Sequence, residues 1–212
     1  MSTFARGERR RLAALLEESG PQAPTLCRGW TAADLAAHLV LRERRPDAAP
    51  GILFRPLAGR TARVQAEYAA RPWPELLELF RTGPGRFSPF ALPGADEAAN
   101  TVEFFVHAED VRRAGAEWKP EPVDPDLAEV LWKRLPMTAR MEAGKRSPVG
   151  LVLRRPDGQT VVARKGAPVV TVVGEPAELL LFAFGRGAAT AVTVEGDADV
   201  VALLAAALPL PG

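Results

Sequence analysis

The residues best placed to do chemistry lie in one short run, Asn100-Thr-Val-Glu103-Phe-Phe-Val-His107-Ala-Glu-Asp110. Val102, Phe105, Val106 and Val111 recur at helical spacing, so the run reads as a helix. Glu103 and His107, four apart, then stand one turn above each other on one face, and Asp110 continues that face by a further turn. A carboxylate and an imidazole stacked this way, flanked by large apolar residues, make half of a divalent-metal site. His38, the chain's one other histidine, is the candidate for the other half. Two imidazoles and a carboxylate are the ligand set of many catalytic zinc sites, which keep a fourth position open for water or substrate. The same set suits iron or nickel, so ligand type leaves the metal open. The plain alternative for His38, which lies among Leu35, Leu39 and Leu41, is a core histidine bonded to a backbone carbonyl.

The elements that must position these groups are helices. Residues 3–18 carry Phe4, Leu12, Leu15 and Leu16 on one stripe and stop at Gly20-Pro21. Thr31-Ala-Ala-Asp34 has the pattern of a capping box and opens a helix through His38 to about Arg45, where Pro46 ends it. Residues 46–56 read as a loop. A third helix spans 58–70, a short one 75–81, and the helix of Glu103 and His107 runs from about 96 to 114, ended by Gly115. Four main helices with the site between them suggest a bundle, residues 1–118.

A proline-punctuated stretch, Trp118 to Pro125, marks a domain boundary. Beyond it the period changes. After a helix at 127–140, the runs 149–153 and 160–162 flank Asp157-Gly158, a strong hairpin signal. A strand at 169–173, a helix from Glu175-Pro176 to Phe184, a strand at 191–194 and a helix at 198–208 complete a small α+β domain, residues 125–212. The fold class is α+β.

Bulk properties narrow the function. With 27 Lys and Arg against 26 Asp and Glu, the net charge of +1 offers no electrostatic case for nucleic acid or an anionic membrane. A single cysteine rules out an intrachain disulfide and fits a reducing compartment. No stretch is long and apolar enough to cross a bilayer, and Arg6, Arg9, Arg10 and Arg11 break up the N-terminal segment, so a cytoplasmic protein is expected. Nothing sets an oligomeric state.

The string Cys27-Arg-Gly-Trp30-Thr31-Ala-Ala-Asp34-Leu-Ala-Ala-His38-Leu, followed by Glu103-x-x-x-His107-x-x-Asp110, resembles the N-terminal domain of mycothiol-dependent maleylpyruvate isomerase, within the DinB-like superfamily of metal-binding four-helix bundles. The segment from Val173-Gly174 through Gly185-Arg186 to Gly196-Asp197 resembles the sterol-carrier-like domain often attached to such bundles. The resemblance implies a divalent metal, most often zinc, held by His38, Glu103 and His107, with mycothiol as a cosubstrate and a small electrophilic substrate. It implies a thiol-dependent transferase or isomerase. Two further readings stay open: a metal- or apolar-ligand-binding module without turnover, and a metal-dependent hydrolase with Asp110 as general base.

Other residues have paired readings. Asp34 is a capping residue or, one turn before His38, a group that orients its imidazole. Asp110 is a partner of His107, a fourth ligand or a surface charge. Arg42, one turn after His38, meets an anionic substrate or simply complements a helix C-terminus. Cys27 is a small buried thiol or approaches the metal. Trp30, Phe104 and Phe105 read as packing. Ser147 has no free histidine to activate it, which argues against a serine hydrolase.

Overall fold

In the computed structural model, which describes residues 4–85, 88–92, 94–115 and 117–211, the first half of the chain is helical. The helices are α1 (Phe4–Ser19), α2 (Ala32–Arg44), α3 (Ala58–Ala69), α4 (Trp73–Thr82) and α5 (Ala95–Arg112). The contacts divide the chain into two compact units, Met1–Trp118 and Lys119–Gly212.

The capping box at Thr31 forms as its sequence dictates. The Thr31 hydroxyl accepts the Asp34 amide at 3.3 Å, and the Asp34 carboxylate accepts the Thr31 amide at 2.9 Å. At the start of α5, Glu97 serves a neighbouring helix, because its two carboxylate oxygens accept the Phe4 and Ala5 amides at 3.1 Å each. The free N–H groups of α1 are thus capped from 92 residues away in sequence.

The main core joins Leu12 and Leu16 of α1, Leu35 and Leu39 of α2, Leu76 and Phe80 of α4, and Phe104 and Ala108 of α5. Each such leucine, fully removed from water, contributes about 1.5–3 kcal/mol. The fourth core helix is therefore α4, longer than the short helix that residues 75–81 suggest. Helix α3 instead buries Val64 in a smaller cluster with Leu41 and Ala48. The segment 46–56, expected to be loop, contains 3-10 turns at Ala49–Ile52 and, with Leu57, at Arg55–Leu57.

One charged group lies inside this core. Arg9 shares a stripe with Leu12, Ala13 and Leu16, and its guanidinium makes a two-point ion pair with Glu43 of α2 at 2.6 and 2.5 Å. It also donates to the Phe80 carbonyl at 3.0 Å and lies over the Phe104 ring at 4.6 Å. Read from the sequence as a residue that breaks an apolar run, Arg9 is a buried tie between α1, α2, α4 and α5.

The second unit begins with α6 (Pro125–Ala139) and carries β1 (Gly150–Arg154), β2 (Thr160–Arg164), β3 (Val169–Val173), α7 (Pro176–Leu181), β4 (Thr193–Glu195) and α8 (Ala198–Ala205). The sheet order is β2-β1-β3-β4, with β1 antiparallel to β2, parallel to β3, and β3 antiparallel to β4. The parallel register sets Leu151 beside Val170 and Leu153 beside Val172, so one face of the sheet is apolar and buried. Gly158, at φ +91°, turns the predicted hairpin. The fold class is α+β: a helical N-terminal region and a small four-stranded C-terminal region. No helix among the described residues is long and apolar enough to cross a membrane.

Candidate metal centre

Helix α5 presents Asn100, Glu103, His107 and Asp110 at spacings of three, four and three, a single stripe along one face. Helix α2 presents His38 and Arg42 four apart. The two stripes face each other: His38 meets Glu103, and Arg42 meets Glu103 and Asn100.

His38 Nε2 lies 3.5 Å from Glu103 Oε1, and His107 Nε2 lies 3.4 Å from the same oxygen. The three ligand atoms all fall within 4.8 Å of one another. Zinc–ligand bonds of about 2.0–2.2 Å in a tetrahedron place neighbouring donors about 3.3–3.5 Å apart. The two measured separations match that edge, so the donor set and its spacing fit a divalent ion held by three protein groups. Both histidines are largely buried, and the Trp30 ring lies 5.0 Å from that of His38. Trp30 thus does more than pack: it walls the imidazole.

Behind His107 lies a second layer. Asp110, fully buried, sits 2.9 Å from His107 Nδ1. A carboxylate on Nδ1 fixes the tautomer that leaves Nε2 as the donor to a cation. The Cys27 thiol donates to Asp110 at 3.1 Å and lies 3.8 Å from His107 Nδ1. The loop that carries it is held by the Leu26 amide on the Asp110 carbonyl at 3.0 Å. Cys27, His107 and Asp110 also converge within ligand range of one another. Their separations are those of hydrogen bonds, however, and they occupy the Nδ1 side. The set on Nε2 is the better cation site.

The buried groups of the cluster perturb one another. Burial alone would raise the Glu103 carboxyl, but hydrogen bonds from His107 and His38 and the charge of Arg42 hold it well below the usual range. Burial would likewise lower His107, yet hydrogen bonds with Asp110, Cys27 and Glu103 raise it well above an ordinary imidazole.

Of the remaining sequence candidates, Asp34 spends its carboxylate on the Thr31 amide and hydroxyl, and no contact with His38 occurs among the described residues. Arg42 lies against Glu103. Its Nε lies 3.6 Å from Glu103, it donates to the Asn100 side chain and to the Ala99 carbonyl at 3.2 Å, and it stacks on Phe90 at 4.8 Å. Sequence reasoning missed Asn100, Glu43 and Phe90. Asn100 is fully buried and donates to Glu43 at 2.9 Å and Asp96 at 2.7 Å, which turns its carbonyl toward Arg42. Its place one turn before Glu103 was the available signal. Ser147 donates to the Val149 carbonyl at 2.7 Å, a local structural bond.

Comparison with known proteins supplies the wider setting. The sequence profile described as the mycothiol maleylpyruvate isomerase N-terminal domain matches residues 5–139. Among curated proteins, none matches the sequence. The fold is similar to a crystal structure of the mycothiol-dependent maleylpyruvate isomerase, with a TM-score of 0.63 and 20% identity over 91% of this chain and 90% of that one. A histidine-to-alanine mutant of that enzyme gives a TM-score of 0.61 at the same identity and coverage. Because the profile spans more than half of the chain, the protein belongs to the mycothiol maleylpyruvate isomerase N-terminal domain family.

Proposed function

We propose that this protein is a metal-dependent enzyme that uses a low-molecular-weight thiol, mycothiol by family, to isomerise or modify a small electrophilic substrate. The observation that carries this reading is the convergence of His38, Glu103 and His107 on one point, with Asp110 behind His107. These three residues would hold the ion, with zinc favoured by the ligand types. A bound zinc ion would lower the pKa of a coordinating thiol, giving a thiolate nucleophile at neutral pH. The chain's own groups do the rest. Asp110 holds His107 in the correct tautomer, Arg42 steadies Glu103, and Trp30 shields His38 from water.

Hydrolysis is less well supported. It needs a general base facing the open position, and Asp110 is fully buried on the Nδ1 side of His107. A purely structural metal calls for a closed four-ligand sphere, whereas among the described residues His38, Glu103 and His107 form a cluster of three.

Metal analysis of the purified chain tests the assignment. About one divalent ion per chain is expected in the wild type, and loss of it in His38→Ala and His107→Ala. Thiol-dependent consumption of an electrophile should vanish on chelation and return with zinc. Stoichiometric metal in both variants would overturn the ligand set, and turnover that persists without thiol would favour hydrolysis.

A further inference from the structure

One β-turn bears on both imidazoles from outside the cluster. The Trp30 amide donates to the Cys27 carbonyl at 2.9 Å and closes the turn Cys27-Arg28-Gly29-Trp30. Gly29, its third residue, has φ +79°, as a type II turn requires at that position and as glycine adopts without strain. The turn is tied to both ligand-bearing helices. The Leu26 amide donates to the Asp110 carbonyl of α5 at 3.0 Å, and Pro24 pairs with Thr31, the N-cap of α2, in an antiparallel bridge. The Thr25 hydroxyl, 2.9 Å from the Trp30 carbonyl, ties the loop across its neck.

From this frame two side chains reach the cluster. The Cys27 thiol donates to Asp110 Oδ2 at 3.1 Å, and that same oxygen faces His107 Nδ1 at 2.9 Å. A thiol is a weak donor, but the fully buried carboxylate makes this bond charge-assisted. Two donors on one oxygen restrain the carboxylate from swinging away from Nδ1. At the other end of the turn, the Trp30 ring lies 5.0 Å from that of His38, tilted by 47°. The two imidazoles are themselves 5.7 Å apart, edge to face. Cys27 and Trp30 are the first and last residues of the turn, so its width governs where both rings stand.

We propose that the turn Cys27–Trp30 positions the metal ligands: Cys27 acts on His107 through Asp110, Trp30 acts on His38, and Gly29 lets the turn close between them. This rests on the metal-dependent reading above and assigns the preorganisation of its geometry to residues outside the ligand set. Removing a group that stands behind a metal ligand weakens metal binding about 10–100-fold, which sets the expected scale.

The test is zinc affinity of the full chain, by competition with a chromophoric chelator, together with the visible spectrum of the cobalt(II)-loaded chain. Cys27→Ala should weaken zinc about tenfold and alter the cobalt band. Cys27→Ser, which keeps a donor to Asp110, should stay within about threefold of wild type. Gly29→Ala strains the turn while its methyl group meets nothing, and should weaken zinc about as much as Cys27→Ala. The double variant should lose little more than either single one, because both act through one turn. Affinity within about twofold of wild type in Cys27→Ala or Gly29→Ala, Cys27→Ser as weak as Cys27→Ala, or losses that multiply in the double variant would each overturn the proposal. One readout needs no metal. The proton on His107 Nδ1, held by Asp110, should give a slowly exchanging downfield resonance in the NMR spectrum of the metal-free wild type and Cys27→Ser, and lose it in Cys27→Ala and Gly29→Ala. A wild type that binds no zinc yet shows this pattern refutes the metal reading and leaves the positioning turn standing. Zinc bound alike by every variant, with the proton kept in all, does the reverse.

Discussion

Replacing Arg9 by methionine keeps most of the aliphatic stem and removes the guanidinium. Glu43, 1% exposed, then keeps Asn100 as its hydrogen-bond partner but has lost the cation that faced both of its oxygens. Breaking a buried pair in this way costs about 3–5 kcal/mol, since the surviving charge stays buried. The stacking of Arg9 on Phe104 adds about 1 kcal/mol to that loss. With a urea dependence of about 1.5 kcal/mol/M, the midpoint of unfolding by far-UV circular dichroism should fall by about 3–4 M. Removing both partners, Arg9→Met with Glu43→Leu, should bring stability back to within about 1–2 kcal/mol of wild type, because Asp96, the carboxylate left without Arg9, is partly open to water. The cycle therefore gives a coupling of several kcal/mol. If Arg9→Met costs less than about 1 kcal/mol, or if the two single losses simply add in the double variant, the buried tie does not hold the bundle together as argued.

Three further outcomes are expected. Thr31→Ala removes the capping hydroxyl and should lower stability by about 1 kcal/mol with metal content unchanged, as thermal unfolding and metal analysis will show. Glu109 is buried; burial opposes its charge, but hydrogen bonds from Arg112, Arg11 and Arg113 hold its carboxyl at about 2 instead of 4.5. The stability this gives is present above pH 4.5 and is lost as pH falls toward 2, by about 3 kcal/mol, and Glu109→Gln should flatten that part of a pH–stability profile. Gly187→Ala drives a methyl group into the Pro209 carbonyl and should cost about 2–3 kcal/mol, whereas Gly7→Ala on α1 meets nothing and should stabilise by up to about 1 kcal/mol; differential scanning calorimetry separates the two.

Much of the fold was legible because its signals are local. The capping box at Thr31, the Asp157-Gly158 turn and the proline stops each act within a few residues. Glu103 and His107 were legible for the same reason, being one turn apart, and His38 followed because no other histidine exists. What stayed hidden depends on distance in sequence. Arg9 and Glu43 are 34 residues apart, so neither reveals that the other neutralises it. Yet Arg9 shares the 9, 12, 13, 16 stripe, and a charge at an apolar position is a hint of a buried partner. Asp110 had three readings, and only the fold put it behind His107. The role of α4 escaped because a ten-residue helix bounded by Pro72 and Gly83 looks peripheral until Leu76, Leu77 and Phe80 are seen in the core.

The 3-10 segment from Ala49 to Leu57 leaves Leu53 and Phe54 largely exposed, and neither belongs to a core cluster. It is anchored mainly at its base, where Gly51 nests against Thr61 and Thr61 donates to the Ala48 carbonyl. The core therefore asks little of the residues in this stretch. A different sequence between Gly51 and Leu57 could be carried while the bundle and the His38, Glu103, His107 cluster stay intact, so this stretch can drift at little thermodynamic risk.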